Sequence, residues 1–290
     1  MFTAPFRISR RSVTIGAALI GLISLALGAH AALNKLSLDA ASATAVRSST
    51  VENKPSRVAL VIGNGRYPDA AQSLAQPIND ARSLTAALRG QGYDVDVVED
   101  ATRDDMVQAV DRLKSKIVPG SEVMLYFGGY GIQAARESYM IPVDAAIWTE
   151  IDVRRKALSI EAVLDSIKDT GARAKLVVLD ASRRNPYERR FRTYSHGLAP
   201  IAAPANALIL SSASPGKVAD DSAAPNSMLM TELLATLAAP ATGVEAAFSR
   251  TRQAVVRNTK GAQVPSVSSS LIDDIPFGTG GVANAQPQGR

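Results

Sequence analysis

Short apolar runs alternate with amphipathic segments along most of the chain. Val58-Ala-Leu-Val-Ile62 is uninterrupted and stops at Gly63-Asn64-Gly65, as a strand buried on both faces would. From about Asn79, the residues Ala81, Leu84, Ala87 and Leu88 share one helical face, and Gly90 and Gly92 end the segment. Residues 93–98 alternate with the period of a strand. Thr102 is placed to cap a helix in which Met106, Val110, Leu113 and Ile117 keep helical spacing as far as Pro119-Gly120. The apolar run 123–127 then breaks into Gly128-Gly129-Tyr130-Gly131. Ser159 caps a further helix carrying Ile160, Val163, Leu164 and Ile167, and Gly171 closes it. The run 175–179 ends at Asp180. A strand over 207–210, helices around 228–237 and 244–256, and a short strand near Val264 complete the pattern. Strand and helix in alternation predict an α/β fold, with a mainly parallel central sheet covered by helices on both faces.

The two ends of the chain lack this pattern. Arg7, Arg10 and Arg11 precede a mainly apolar run over 13–33, so residues 1–34 read as a signal peptide or a membrane anchor. Ala29-His30-Ala31 fits a small-residue cleavage site, and about twenty apolar residues are enough to span a bilayer. Ser9-Arg10-Arg11-Ser12-Val13 resembles a twin-arginine export signal, with Thr14 where an apolar residue is usual. Either reading exports the remainder, leaving it periplasmic or anchored in the inner membrane outside the cytoplasm. Residues 35–56, rich in Ala, Ser and Thr, read as a flexible linker, and 278–290 as a disordered tail. The folded domain is expected over 57–277.

Composition narrows the chemistry. The chain has no cysteine and only two histidines, His30 and His196. Disulfides, thiolate metal sites, a cysteine nucleophile and a multi-histidine metal centre are therefore excluded. The net charge of +5 comes largely from the N-terminal arginines and from Arg183, Arg184, Arg189, Arg190 and Arg192. No basic stripe interleaved with aromatics follows, so nucleic acid is not an expected partner. The arginine cluster reads as a solvated, protease-sensitive loop. Gly63-Asn64-Gly65 lacks the third glycine of a dinucleotide fingerprint, since position 68 is Pro68, and reads as a tight turn. Ser214-Pro-Gly-Lys217 spells a Ser-x-x-Lys pair, but Pro-Gly inside it favours a turn. No cofactor is expected.

Two strand ends remain. One presents Tyr130 on a glycine-rich turn, and the other runs Lys175-Leu-Val-Val-Leu-Asp180-Ala-Ser182-Arg183-Arg184-Asn185-Pro186. In an open α/β sheet such carboxyl ends carry ligands and chemistry. They stand in an ordered series: Arg57-Val-Ala-Leu-Val-Ile-Gly-Asn64, Pro77-Ile-Asn79-Asp80-Ala81, Tyr126-Phe-Gly-Gly-Tyr130-Gly-Ile-Gln133, Ile141-Pro-Val-Asp144 and Asp180-Ala-Ser182-Arg-Arg-Asn185-Pro186. With Gln263-Val-Pro265 through Leu271, this series resembles the bacterial caspase-like peptidases, of metacaspase and orthocaspase type, over about residues 57–277. The resemblance implies a three-layer α/β/α sandwich.

It also implies a catalytic histidine where this chain has Tyr130 and a catalytic cysteine where it has Ser182. Asp80 and Asp180 match acids that line the pocket for a basic side chain in metacaspase-like members. A bland alternative has Asp80 capping a helix and Asp180 satisfying backbone groups. Serine needs a good base, and a tyrosine with pKa near 10 is ionised at only about one part in a thousand at pH 7. The Tyr130–Ser182 pair is thus expected to bridge the cleft by a hydrogen bond rather than to catalyse. The reading that follows is a pseudo-peptidase holding a basic, Arg- or Lys-containing peptide or protein partner. The alternatives are an endopeptidase with Ser182 as nucleophile and Tyr130 as base, cleaving after Arg or Lys, and a structural scaffold. Restoring the family residues with Ser182→Cys and Tyr130→His is expected to return cleavage after Arg or Lys if the acidic pocket and the oxyanion donors persist, with the Arg183–Arg192 loop as a self-cleavage site.

Overall fold

The computed structural model describes residues 56–68, 73–191, 196–220 and 222–278. The stretches expected to be a signal peptide or anchor (1–34), most of the expected linker (35–56) and nearly all of the expected tail (278–290) lie outside them. Among the described residues no helix is long and apolar enough to cross a membrane.

One six-stranded sheet organises the domain. Its strands are β1 (Arg57–Gly63), β2 (Asp94–Glu99), β3 (Glu122–Gly128), β7 (Ala174–Asp180), β8 (Ala207–Ser211) and β10 (Ser266–Ser269), ordered β10-β8-β7-β3-β1-β2. Five run parallel, and β10 pairs antiparallel with β8. Helices α1 (Gln76–Gly90), α5 (Met228–Ala238) and α6 (Val244–Asn258) cover one face, while α2 (Arg103–Lys116) and α4 (Ile160–Lys168) cover the other. The unbroken apolar runs follow from this layering. In β1, Ala59 and Val61 pack under α1, while Val58, Leu60 and Ile62 pack under α2. No position of the strand faces water, so none needs to be polar. The chain is an α/β sandwich, as the alternation predicts.

Several helix ends lie where the sequence puts them. Thr102 caps α2 in a full capping box with Asp105, and Ser159 caps α4 by accepting from the Ala162 N–H. Two boundaries move. Helix α1 starts at Gln76 rather than Asn79, with Pro77 in its first turn, where a missing N–H is no loss. Asp80 therefore lies inside α1 and does not cap it. The final sheet strand begins at Ser266, just beyond Val264.

A smaller layer sits past the carboxyl ends of the strands. There β4 (Gly131–Ala134), β5 (Glu137–Met140) and β6 (Leu158–Ser159) form an antiparallel sheet, flanked by the short helix α3 (Glu150–Lys156). Tyr67, Tyr130, Ile132, Tyr139, Ile141, Ile147, Val153 and Tyr187 make its apolar core. β9 (Thr242–Gly243) and β11 (Pro276–Phe277) pair separately. Asn64 ties the smaller layer to β1: its Oδ1 accepts from Ala101 N (2.8 Å), and its Nδ2 donates to Ile141 O (3.2 Å). Gly63 and Gly65 belong to the same junction. A Cβ on either would lie 2.5 or 2.3 Å from the Pro77 or Leu74 carbonyl oxygen, so close approach of backbone explains the motif.

Candidate functional site

Strands β3 and β7 are in register to their last residues, Gly128 opposite Asp180. The turns beyond stay joined: Gly129 N donates to Asp180 O (3.3 Å) and Gly131 N to Ala181 O (2.8 Å). Tyr130 and Ser182 therefore stand on neighbouring, stitched turns at one edge of the sheet. Tyr130 packs edge-on against Tyr67, with ring centroids 4.9 Å apart. Its N–H donates to the Tyr67 hydroxyl (3.1 Å), which in turn donates to Ile141 O (3.0 Å). Burial pushes the Tyr67 hydroxyl well above the ordinary tyrosine range. Gly129 has to be glycine here, because a Cβ would stand 2.5 Å from that hydroxyl.

Ser182 is only 1% exposed. Its N–H donates to Ser212 Oγ (3.3 Å), and its carbonyl accepts from Ala219 N (2.7 Å). The Ser182 Oγ has no hydrogen-bond partner. The bridge expected from Tyr130 is thus not formed, and among the described residues none accepts a hydrogen bond from the Ser182 hydroxyl. The N–H groups of Gly129, Tyr130 and Gly131 are all donated within the protein. The glycine turn therefore presents no free oxyanion donor. His196 Nδ1 stands 3.9 Å from Glu188 Oε2.

The acids come together by strand alternation. Met124 and Tyr126 in β3, and Leu176 and Val178 in β7, point to the α1 and α5 face, so Asp180 follows them toward Asp80 on α1. Asp80 is fully buried. Its Oδ1 accepts from Asn226 Nδ2 (2.8 Å) and Ser227 N (3.1 Å), immediately before α5. Burial, then the charge of Asp180, push its carboxyl up to about 6 against the pull of those hydrogen bonds. Burial and both carboxylates also hold the Tyr126 hydroxyl well above its usual range.

Asp180 has an internal counter-ion. Arg183, read from sequence as part of a solvated loop, is buried, with Nη1 3.7 Å from Asp180 Oδ1. The same nitrogen donates to Gly129 O (3.0 Å) and to Asp180 O. A turn that reverses immediately after Asp180 sends this side chain back under the strand end, which residue type alone does not reveal. Of the other arginines, Arg184 and Arg189 are exposed. Arg190 donates to Ile147 O (2.7 Å), and Arg192 lies outside the described residues. Asp180 Oδ2 and Asn185 Nδ2, like Ser182 Oγ, are buried without a hydrogen-bond partner.

Other candidates resolve simply. Ser214-Pro-Gly-Lys217 is a turn, closed by Lys217 N to Ser214 O (2.9 Å), with Gly216 at φ +72°. No group of three or more His, Asp or Glu side chains could hold a metal among the described residues. A surface cavity of about 570 Å³ lies between α2 and α4, lined by Val110, Tyr139, Leu158 and Val163. None of Asp80, Tyr130, Asp180 and Ser182 lines it.

Known proteins resemble this chain in sequence. The human mucosa-associated lymphoid tissue lymphoma translocation protein 1 and its mouse homolog are each 30% identical over 133 residues, which is 46% of this chain. The match spans only 16% of the length of either relative. The caspase domain family (Peptidase_C14) matches residues 56–276, the span of the sheet and its covering helices. The chain is therefore a member of the caspase-like peptidase family.

Proposed function

We propose that this domain is a pseudo-peptidase: it keeps the caspase-like frame, lacks the cysteine mechanism and binds a basic side chain of a peptide or protein partner. One observation carries the reading. Two buried carboxylates, Asp80 and Asp180, are accompanied by one buried cation, Arg183, which pairs with Asp180. Burying a second negative charge is costly unless it takes up a proton or meets another cation. In the unliganded protein Asp80 meets this demand by its raised pKa. An incoming guanidinium or ammonium would meet it through charge-assisted hydrogen bonds, with Asp180 Oδ2 as an acceptor that has no other partner.

Catalysis by Ser182 is disfavoured by the same geometry. The Oγ is buried, touches no acceptor and has no free oxyanion donors from the glycine turn beside it. Hydrolysis needs both. The roles of Tyr130 and Ser182 in this reading are to fill the positions of the lost dyad.

The test is titration of the protein with matched peptides carrying Arg, Ala or Asp at one position, with mass spectrometry of the same mixtures. The Arg peptide binds best, more weakly at high salt, and Asp180→Asn weakens it by about tenfold or more. Affinity rises as pH rises from 5 to 7, because Asp80 must lose its proton to attract the cation. No peptide is cleaved. Equal binding of all three peptides leaves only a scaffold role. Cleavage abolished by Ser182→Ala would establish the serine endopeptidase instead.

A further inference from the structure

The only tryptophan of the chain, Trp148, is 62% exposed, and Ile151 in the first turn of α3 is 51% exposed. Large apolar side chains so exposed, three residues apart in the chain, are candidates for a contact surface. Their surroundings are basic. The Arg190 guanidinium lies 4.4 Å from the centre of the Trp148 ring and pins it from behind. Arg155 stands one helical turn beyond Ile151. Arg136 sits on the β4–β5 turn, which Glu150 Oε1 holds against the start of α3 by accepting from Ala135 N (3.1 Å). Arg136, Arg155 and the neighbouring Arg189 are exposed and make no ion pair among the described residues.

Nearby acids have other contacts: Glu137 accepts from the Tyr139 hydroxyl (2.6 Å). Glu150 accepts from Ala135 N, and Asp152 accepts from the Trp148 and Thr149 N–H groups while lying 3.7 Å from Lys156. Arg136, Arg155 and Arg189 thus have no ion-pair partner among the described residues and border an amphipathic ring and an aliphatic side chain. We propose that Trp148, Ile151, Arg136, Arg155 and Arg190 form a membrane-interface patch that seats the domain on an anionic lipid surface. Tryptophan partitions to the headgroup level, and each nearby arginine adds attraction to an anionic leaflet.

A lipid surface fits better than an acidic protein. A stable protein interface takes some 20–30 residues a side, whereas binding at a bilayer interface grows with whatever apolar area is buried plus attraction to anionic lipids. The sequence adds a second reason, independent of the patch. An apolar run of bilayer length precedes the domain, and residues 35–56 between them reach at most about 75 Å. Where that run stays attached, it keeps the patch near a bilayer.

The full chain already supplies the reporter, because Trp148 is its one indole. It is mixed with vesicles of phosphatidylcholine alone, or of phosphatidylcholine and phosphatidylglycerol in equal parts. Anchoring by the N-terminal segment can occur on both, so the readout is Trp148 emission and its quenching by shallow brominated acyl chains. On the anionic vesicles emission shifts to the blue and is quenched by the brominated lipid; on the neutral ones both effects are small. Salt reverses the shift. Arg155→Glu weakens the interaction by about fivefold or more, as expected for charge lost near such a surface. Ile151→Ser reduces the blue shift and serves as a second variant, with circular dichroism confirming the fold of each. Trp148 emission that stays unchanged on vesicle-bound protein, and open to aqueous iodide, overturns the proposal. So does a shift produced by soluble polyglutamate and not by anionic vesicles, which would assign the patch to an acidic protein.

Discussion

Asp80 shows how one buried side chain carries both charge state and stability. Its folded pKa of about 6 lies above the ordinary aspartate value of 3.8. The folded protein therefore binds a proton more tightly here than the unfolded chain does. The sign follows from linkage: this group contributes most stability at low pH, and the contribution is lost as pH rises from about 4 through 6. A shift of about two units corresponds to at most about 3 kcal/mol. Chemical denaturation at fixed points between pH 4 and 7 should show the unmodified protein losing stability relative to Asp80→Asn across that window. Parallel curves would mean that Asp80 is ionised throughout. Removing Asp180 should also flatten the curve, since its charge is the second cause of the shift, after burial.

At the scale of elements, helix termini carry much of the local specification. Thr102 Oγ1 accepts from Asp105 N (3.2 Å), and Asp105 Oδ2 accepts from Thr102 N (3.1 Å), so two orphan N–H groups are satisfied reciprocally. Asp144 Oδ1 accepts a third, from Arg103 N (3.0 Å). Thr102→Ala should cost about 1 kcal/mol and lower the melting temperature by about 2–4 °C in a domain of this size. An unchanged melting temperature would show that Asp144 and Asp105 suffice without the hydroxyl. The same logic decides what could be read from sequence. Long elements with caps or two-sided burial, such as α2, α4, β1, β3 and β7, announce themselves through period and punctuation. β4, β5, β6 and α3 do not, because they are only two to seven residues long and get their register from packing around Tyr139, Ile141 and Ile147. Strand ends gave away Asp180 and Ser182. Burial of Arg183 depends on the backbone reversal after β7, which has no distinct residue signature.

For the whole molecule, the described residues of the segment linking β8 to α5 are expected to set access to the site. It crosses the strand ends and is held from both sides. Ala219 N donates to Ser182 O, while Asn226 and Ser227 donate to Asp80. Gln76 Nε2 lies 3.0–3.3 Å from four oxygens of residues 222–226, and Asn79 Nδ2 donates to Pro225 O (2.9 Å). A basic guest reaching Asp180 and a reagent reaching position 182 must both displace this strap. Since the chain has no cysteine, Ser182→Cys would place a unique thiol at the covered position. Its reaction with a disulfide reagent should be at least about a hundredfold slower than that of an unfolded control, as expected for a group reached only by local opening. Adding Gln76→Ala should speed it about tenfold, the equivalent of one or two lost hydrogen bonds. The double variant Ser182→Cys, Tyr130→His should bind the Arg peptide yet cleave it slowly, because the N–H groups of the glycine turn remain donated elsewhere. Fast labelling of the introduced thiol in the Ser182→Cys variant alone would show that the strap does not control access. Brisk cleavage by the double variant alone would show that the turn reorganises freely and that its donated N–H groups do not limit catalysis.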